Sequence, residues 1–451
     1  MIGVNLSRWT LSYFAAALFA LVVAQGLMVA GYGFPTADLR APETLVLVHL
    51  VTIGWLSLLL CGALFQFVPV LVAHGLYSDT LPLPALVFLV AGLLFLLAGF
   101  LQLADVFSGG PTLFFLAAIL LTGGFLIVIY NLGRTLWAAR PLSLPARFVA
   151  IALGALGMTV FLGVIYTLTL GAALNSGALT ALTGPTLPLH VIGGLCGWLS
   201  FAAIGVSYRL LAMFMLAPEL DGWRPHTGFW LGTAALSIAL LGGPACLYLR
   251  GSITPALVLS GILGLAALGL YGADSVHLYR ARKRRIIELN SQMAALALAS
   301  LGAVVLLGLV FLGFGLFEEQ IGAIVFLAAF GWLTGLGLAK LYKIVAFLTW
   351  LECYGPVLGK TVTPRVQDLV VESRARRWFI LYYLSVWAAT AALLISSPIV
   401  FRFSAAIMLL ATLAIILELV RARRLADVVE NLRFPAGVVR PYLLLSSAET
   451  K

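Results

Sequence analysis

Only five histidines occur in the 451 residues, and two of them occupy matching places in long apolar segments. His49 stands five residues before Gly54-Trp55, and His190 stands seven before Gly197-Trp198. An ionisable side chain is expensive in hydrocarbon and by default marks function there. Neutral imidazole is also the commonest protein ligand for haem iron and copper. The pair therefore points to haem or metal ligation by His49 and His190. The competing reading is a neutral histidine bonded to a neighbouring helix. The two-residue difference in offset turns an α-helix by just over half a turn, unless a bulge near Gly193-Gly194 absorbs it. His74, His226 and His277 fall near helix ends and read as interfacial groups.

The Gly-Trp pairs belong to a pattern that occurs three times. Gly54-Trp55-Leu-Ser, Gly197-Trp198-Leu-Ser and Gly331-Trp332-Leu-Thr each open a long apolar stretch. Eight residues after the glycine comes a small residue: Gly62, Gly205 or Ala339. Eleven after comes an aromatic one: Phe65, Tyr208 or Tyr342. Twelve after comes a long polar one: Gln66, Arg209 or Lys343. Self-similarity at a near-constant period marks a repeated structural unit. Small residues let helices approach closely in lipid, where apolar burial alone supplies little drive. The third copy has Ile324 or Phe326 where a histidine would stand, so it supplies no ligand. Gln66, Arg209 and Lys343, with Lys340 one turn before Lys343, form a polar layer in the inner halves of these helices. It reads as side chains snorkelling to the interface or bonding between helices. A patch holding haem propionates is the sharper reading, but the histidines lie over about 15 Å away along the helix axes.

These residues need helices that cross a membrane, and the composition demands them. Hydrophobic residues make up 62% of the chain and charged residues 10%, against roughly 25% charged in a soluble domain. Apolar runs near 11–31, 44–72, 84–104, 112–138, 147–170, 187–216, 227–248, 255–279, 294–315, 321–349, 378–396 and 401–420 each suit about 30 Å of hydrocarbon. The first run, from Leu11 to Gly31, lacks a credible cleavage site and reads as a span. Cys61, Cys196, Cys246 and Cys353 are scattered without a CxxC pair, so no disulfide framework is expected. With the N-terminus inside, only Arg40, Arg250 and Arg402 of the 27 Lys and Arg residues lie outside. That asymmetry is the positive-inside bias, and it places both termini in the cytoplasm of an inner-membrane protein. The net charge of +10 thus reflects topology, not a nucleic-acid partner. The basic runs at 280–285 and 374–377 read as topology determinants, with anionic-lipid or partner contacts as the alternative. The expected fold is an all-α membrane protein of about twelve transmembrane helices. Three pseudo-repeated four-helix units cover approximately 11–138, 147–279 and 294–420, in a single polytopic domain with a cytoplasmic tail at 421–451.

The chain resembles the heme-copper oxidase subunit I superfamily in its wider sense, nearest to the divergent subunit-I-like and NnrS-like membrane proteins. The residues carrying the likeness are His49…Gly54-Trp55, His190…Gly197-Trp198, and Leu341-Tyr342-Lys343-Ile344-Val345 followed by Trp350. The resemblance implies three four-helix arcs, with His49 at the helix-two position that ligates low-spin haem. It puts His190 on the helix that supplies the first copper ligand. Haem b, with copper as the other candidate, is the cofactor it implies. Partners would be the lipid bilayer, other membrane redox subunits or a small redox protein. The departures are substantial. Span seven has no His-His pair, span ten has no His-x-His, and no His-Tyr pair follows His190 at the oxidase spacing. Oxygen reduction at a haem-copper centre is therefore not expected. Respiratory electron transfer, nitric-oxide handling and metal-centre assembly follow by analogy only. Two other functions stand beside these. One is a secondary transporter, which twelve spans with repeats would suit. The other is a non-catalytic subunit of a membrane redox complex, whose lost ligands would leave only its partner surfaces. The segment from Trp350 to Arg377 carries mixed charge and would permit a partner-binding element.

Overall fold

The computed structural model describes residues 8–171, 177–438 and 440–446, excluding the side chains of 178–181. Among them are twelve helices long and apolar enough to cross a membrane. They are α1 (Thr10–Ala30), α2 (Pro42–Val72), α3 (Pro82–Leu103), α4 (Thr112–Ala138), α5 (Leu144–Leu170) and α6 (Leu182–Met215). The second half holds α7 (Trp223–Arg250), α8 (Thr254–Arg280), α9 (Leu289–Gly313), α10 (Phe317–Val357), α11 (Glu372–Leu394) and α12 (Pro398–Arg423).

Local chemistry sets many of the ends. Proline opens α2, α3, α5, α8 and α12 within its first two positions, where its missing N–H costs nothing. Gly31 closes α1 with φ of 79°, a left-handed conformation that glycine adopts without strain. Each of the twelve apolar runs corresponds to one of these helices; the widest difference is at the end of α10, which runs eight residues past 349, and two others lie at charged starts. α9 starts at Leu289 and α11 at Glu372, five and six residues before the apolar edges near 294 and 378. At these ends the Leu289 N–H donates to Glu372 at 3.2 Å, and Arg374 bonds Glu418 and Asp427.

The chain divides into two compact units. The first comprises residues 1–66 and 287–451, and the second residues 67–286. In the first, α1 packs on α2 and α12, α9 on α10, and α11 on α12. In the second, α3 packs on α4, α4 on α5, α5 on α6, and α7 on α8. α10 and α2 are the most deeply buried spans; α8 and α9 are the least. The segment after α10 is not an open loop. Trp350 Nε1 donates to the Pro364 carbonyl at 2.6 Å, and the Tyr354 hydroxyl donates to that of Arg433 at 2.9 Å. Tyr354, Leu369, Leu425 and Val428 form one apolar cluster there.

α2, α6 and α10 share a feature that composition does not announce. Each changes from α- to π-helical winding across its Gly-Trp pair: Leu50–Ser57, Ile192–Phe201 and Leu327–Thr334. π-turns are rare and are found mostly as single turns, often at functional sites. Runs of eight to ten residues occur at all three Gly-Trp motifs, and α7 holds a shorter one at Ile238–Gly242.

Candidate functional site

The small residues of the motif let each of these helices touch the span before it. A Cβ on Gly62 would lie 2.6 Å from Cβ of Tyr13 on α1, and one on Gly205 would run into Cβ of Phe148 on α5. A Cβ on Gly197 would meet Ala155 at 2.6 Å, and one on Gly331 would meet Ser300 on α9 at 2.9 Å. The aromatic position extends two of these contacts. Phe65 meets Tyr13 edge-on at 5.7 Å, and Tyr208 lies 5.7 Å from Phe148. Tyr342 instead meets Phe379 of α11 at 5.8 Å. The motif tryptophans are buried, and Trp55 Nε1 donates to the Thr334 hydroxyl at 2.8 Å, joining the motifs of α2 and α10. In α10 the Phe330 carbonyl accepts the Tyr382 hydroxyl at 2.9 Å.

His49 is the last α-helical residue before the π-stretch of α2. Its Nδ1 lies 2.8 Å from the Leu45 carbonyl. A carbonyl only accepts, so Nδ1 carries the proton and the lone pair sits on Nε2. His190 precedes the π-stretch of α6 by two residues and bonds the Thr159 carbonyl of α5 through Nδ1 at 3.1 Å. The same tautomer follows. Both rings are half-buried. That of Tyr166 stands edge-on to His190 at 5.4 Å, and its hydroxyl donates to Thr186 at 3.0 Å. Gly163 borders the His190 ring so closely that a Cβ there would lie 3.3 Å from Cε1. The π-stretch of α6 opens five residues before its glycine and that of α2 four before. It thus absorbs one of the two residues by which the histidine offsets differ. His49 lies in the first unit and His190 in the second.

The polar layer is held by separate partners. Arg209 pairs with Glu219, beyond the end of α6. Lys343 pairs with Glu288 at 2.9 Å, just before α9. Gln66 and Lys340 are both 7% exposed. His74 and His226 bond nearby backbone carbonyls; His74 and His277 are exposed, and His226 is half-buried.

Sequence reading passed over a set of buried acids. Asp274 on α8 is fully enclosed, accepts the Tyr208 hydroxyl at 3.0 Å and lies 3.5 Å from Arg224. Its signal was available, because it is a lone carboxylate inside an otherwise apolar run. Glu352, Glu418 and Asp427 surround arginines at the ends of α10, α11 and α12. Among the described residues, no three His, Cys, Asp or Glu side chains converge as a metal site. No protein-family model matches the chain, and no curated protein matches it at a significant level.

Proposed function

We propose that this chain is a haem-binding integral membrane protein of oxidase-like architecture, in which His49 and His190, each within its own unit, would be the imidazoles that hold haem near the outer face. In this reading, three four-helix units follow one another in the inner membrane with both termini in the cytoplasm. The observation that carries it is the shared state of the two rings. Each donates Nδ1–H to a backbone carbonyl beside a π-helical stretch. Metal-ligating histidines characteristically fix tautomer and orientation in this way.

The donor set fits haem better than copper. Haem iron already has four macrocycle nitrogens and asks the protein only for axial ligands. A copper ion held by side chains alone asks for three or more, and the described residues do not bring three together. Gly163 supports the fit, since a side chain there would crowd the His190 ring. Bound haem would supply one-electron chemistry. The protein's part is to fix each imidazole and to seal the site with the half-buried Tyr166 and Thr159.

The test is a reduced-minus-oxidised visible spectrum of protein purified under haem-replete conditions, beside His49→Ala and His190→Ala. A b-type signal that either substitution diminishes is expected. A colourless wild type would sink the assignment. Asp274 favours one second reading, an ion-coupled carrier, because a buried intramembrane carboxylate is a usual proton or cation relay. Substrate flux in proteoliposomes that follows a proton gradient and is lost in Asp274→Asn would establish that reading instead.

A further inference from the structure

The exposed face of α4 changes chemistry in a fixed order along its length. Ile119 and Leu126 are more than half exposed, followed by Tyr130, then Arg134 and Trp137. These residues recur at spacings of three, four and seven, so they form one stripe. Apolar, then aromatic, then basic is the order of a bilayer met from its core to its headgroups. This end of α4 thus lies at headgroup level.

Two guanidiniums there are held by rings. Arg134 lies 4.8 Å from the centre of Tyr77 and 5.8 Å from that of Tyr130, and the two tyrosine hydroxyls meet at 3.2 Å. Arg140 lies 3.4 Å from the centre of Trp137, which is 65% exposed. Among the described residues, no carboxylate is within ion-pair distance of either arginine. In contrast, Arg209, Arg224, Arg374, Arg421 and Arg423 are each paired with an acid. Cation–π contact fixes a guanidinium without neutralising it. Arg140 also sits just before the N-terminus of α5, whose peptide dipoles favour an anion. Two fixed, unneutralised cations at headgroup depth complement a phosphodiester with net negative charge.

We infer that Arg134 and Arg140, framed by Tyr77, Tyr130 and Trp137, form a binding site for the headgroup of an anionic phospholipid. The basic runs at 280–285 and 374–377 are poorer candidates. Arg374 is consumed by Glu418 and Asp427, and Arg282 bonds the Tyr279 carbonyl. The site is independent of the haem assignment and requires only a bilayer.

The experiment is native mass spectrometry of the full chain released from phosphatidylcholine nanodiscs containing one-third phosphatidylglycerol. Wild-type protein should retain phosphatidylglycerol, and R134Q/R140Q should bind it roughly 30-fold more weakly, from about a fivefold effect per basic residue at a membrane surface. The control R282Q/R285Q changes the net charge equally and should match wild type. Equal loss in the control, or unchanged retention in R134Q/R140Q, would overturn the site. R134K/R140K keeps the charge and the fold, but loses the planar stacking. It should fall between the two, and wild-type retention would refute the ring-held arrangement. Millimolar inorganic phosphate should displace nothing; displacement would mean that the site reads free anions, not lipid.

Discussion

Arginine serves different ends at two places, one in each unit. In the first unit, the ends of α10, α11 and α12 converge on a buried ionic lattice. Arg374 holds Glu418 through two bonds of 2.6 and 2.7 Å and reaches Asp427 at 2.6 Å. Arg423 is 3% exposed, pairs with Glu352 at 2.6 Å and donates to the carbonyls of Tyr442 and Leu445. In the second unit, Arg134 and Arg140 face outward on aromatic rings. The difference lies in the neighbours. Where a carboxylate is enclosed with it, the guanidinium becomes part of the interior, and removing it leaves an uncompensated charge. Where only rings meet it, the charge stays available and its removal costs the fold little.

This contrast can be broken by substitution. Arg423→Met should produce the largest loss, about 3–5 kcal/mol, because Glu352 would stay buried without its guanidinium. A fall in the thermal midpoint in detergent no greater than that of R134Q would erase the distinction. Gly205→Val should follow, at about 1–3 kcal/mol from overpacking against Phe148. It tests whether the second unit instead relies on close helix approach, and the readout is the same midpoint. Trp55→Phe removes one bond to Thr334 and should cost about 1 kcal/mol. Arg134→Gln should change the midpoint least, within about 0.5 kcal/mol, while weakening lipid retention.

Acid sharpens the comparison further. Burial pushes the Asp427 carboxyl up, but the hydrogen bonds from Arg374 and Arg421 outweigh it and hold the group below its usual range. A carboxylate with a lowered value in the folded protein contributes stability above its unfolded value of about 3.9. That contribution fades as pH falls through the lower folded value. Arg374→Gln should flatten this acid limb in a series of midpoints from pH 7 to pH 3. An unchanged limb would show that the Asp427 pairing does not carry it.

The twelve spans were legible because each is an apolar run long enough to cross hydrocarbon, and length and composition determine that directly. Their charged extensions were not, since Glu372 and Arg374 look like loop residues until their partners are known. The motif glycines were legible as points of close approach. The π-winding across them was not, because it depends on how α2, α6 and α10 seat against their neighbours. His49 and His190 were readable as a matched pair, whereas the carbonyls that orient them belong to Leu45 and to Thr159 on another helix. Gln66, Arg209 and Lys343 read as one layer from their spacing. Arg209 and Lys343 instead take partners, Glu219 and Glu288, that no periodicity foretells.

The first unit is discontinuous in sequence, and this sets an order of events during synthesis. Residues 1–66 leave the ribosome well before residue 287, and the whole second unit is made in between. At about 5–20 residues per second, α1 and α2 wait roughly 10–45 seconds for α9–α12. Throughout that interval, Trp55 lacks Thr334 and Gln25 lacks the Thr412 hydroxyl it later bonds at 3.0 Å. The bonds from Ser446 N–H to the Arg8 carbonyl and from the Ser12 hydroxyl to the Leu444 carbonyl can form only after residues 444 and 446 have been made. A chain stalled before α9 would therefore leave α1 and α2 without the contacts that α10 and α12 supply.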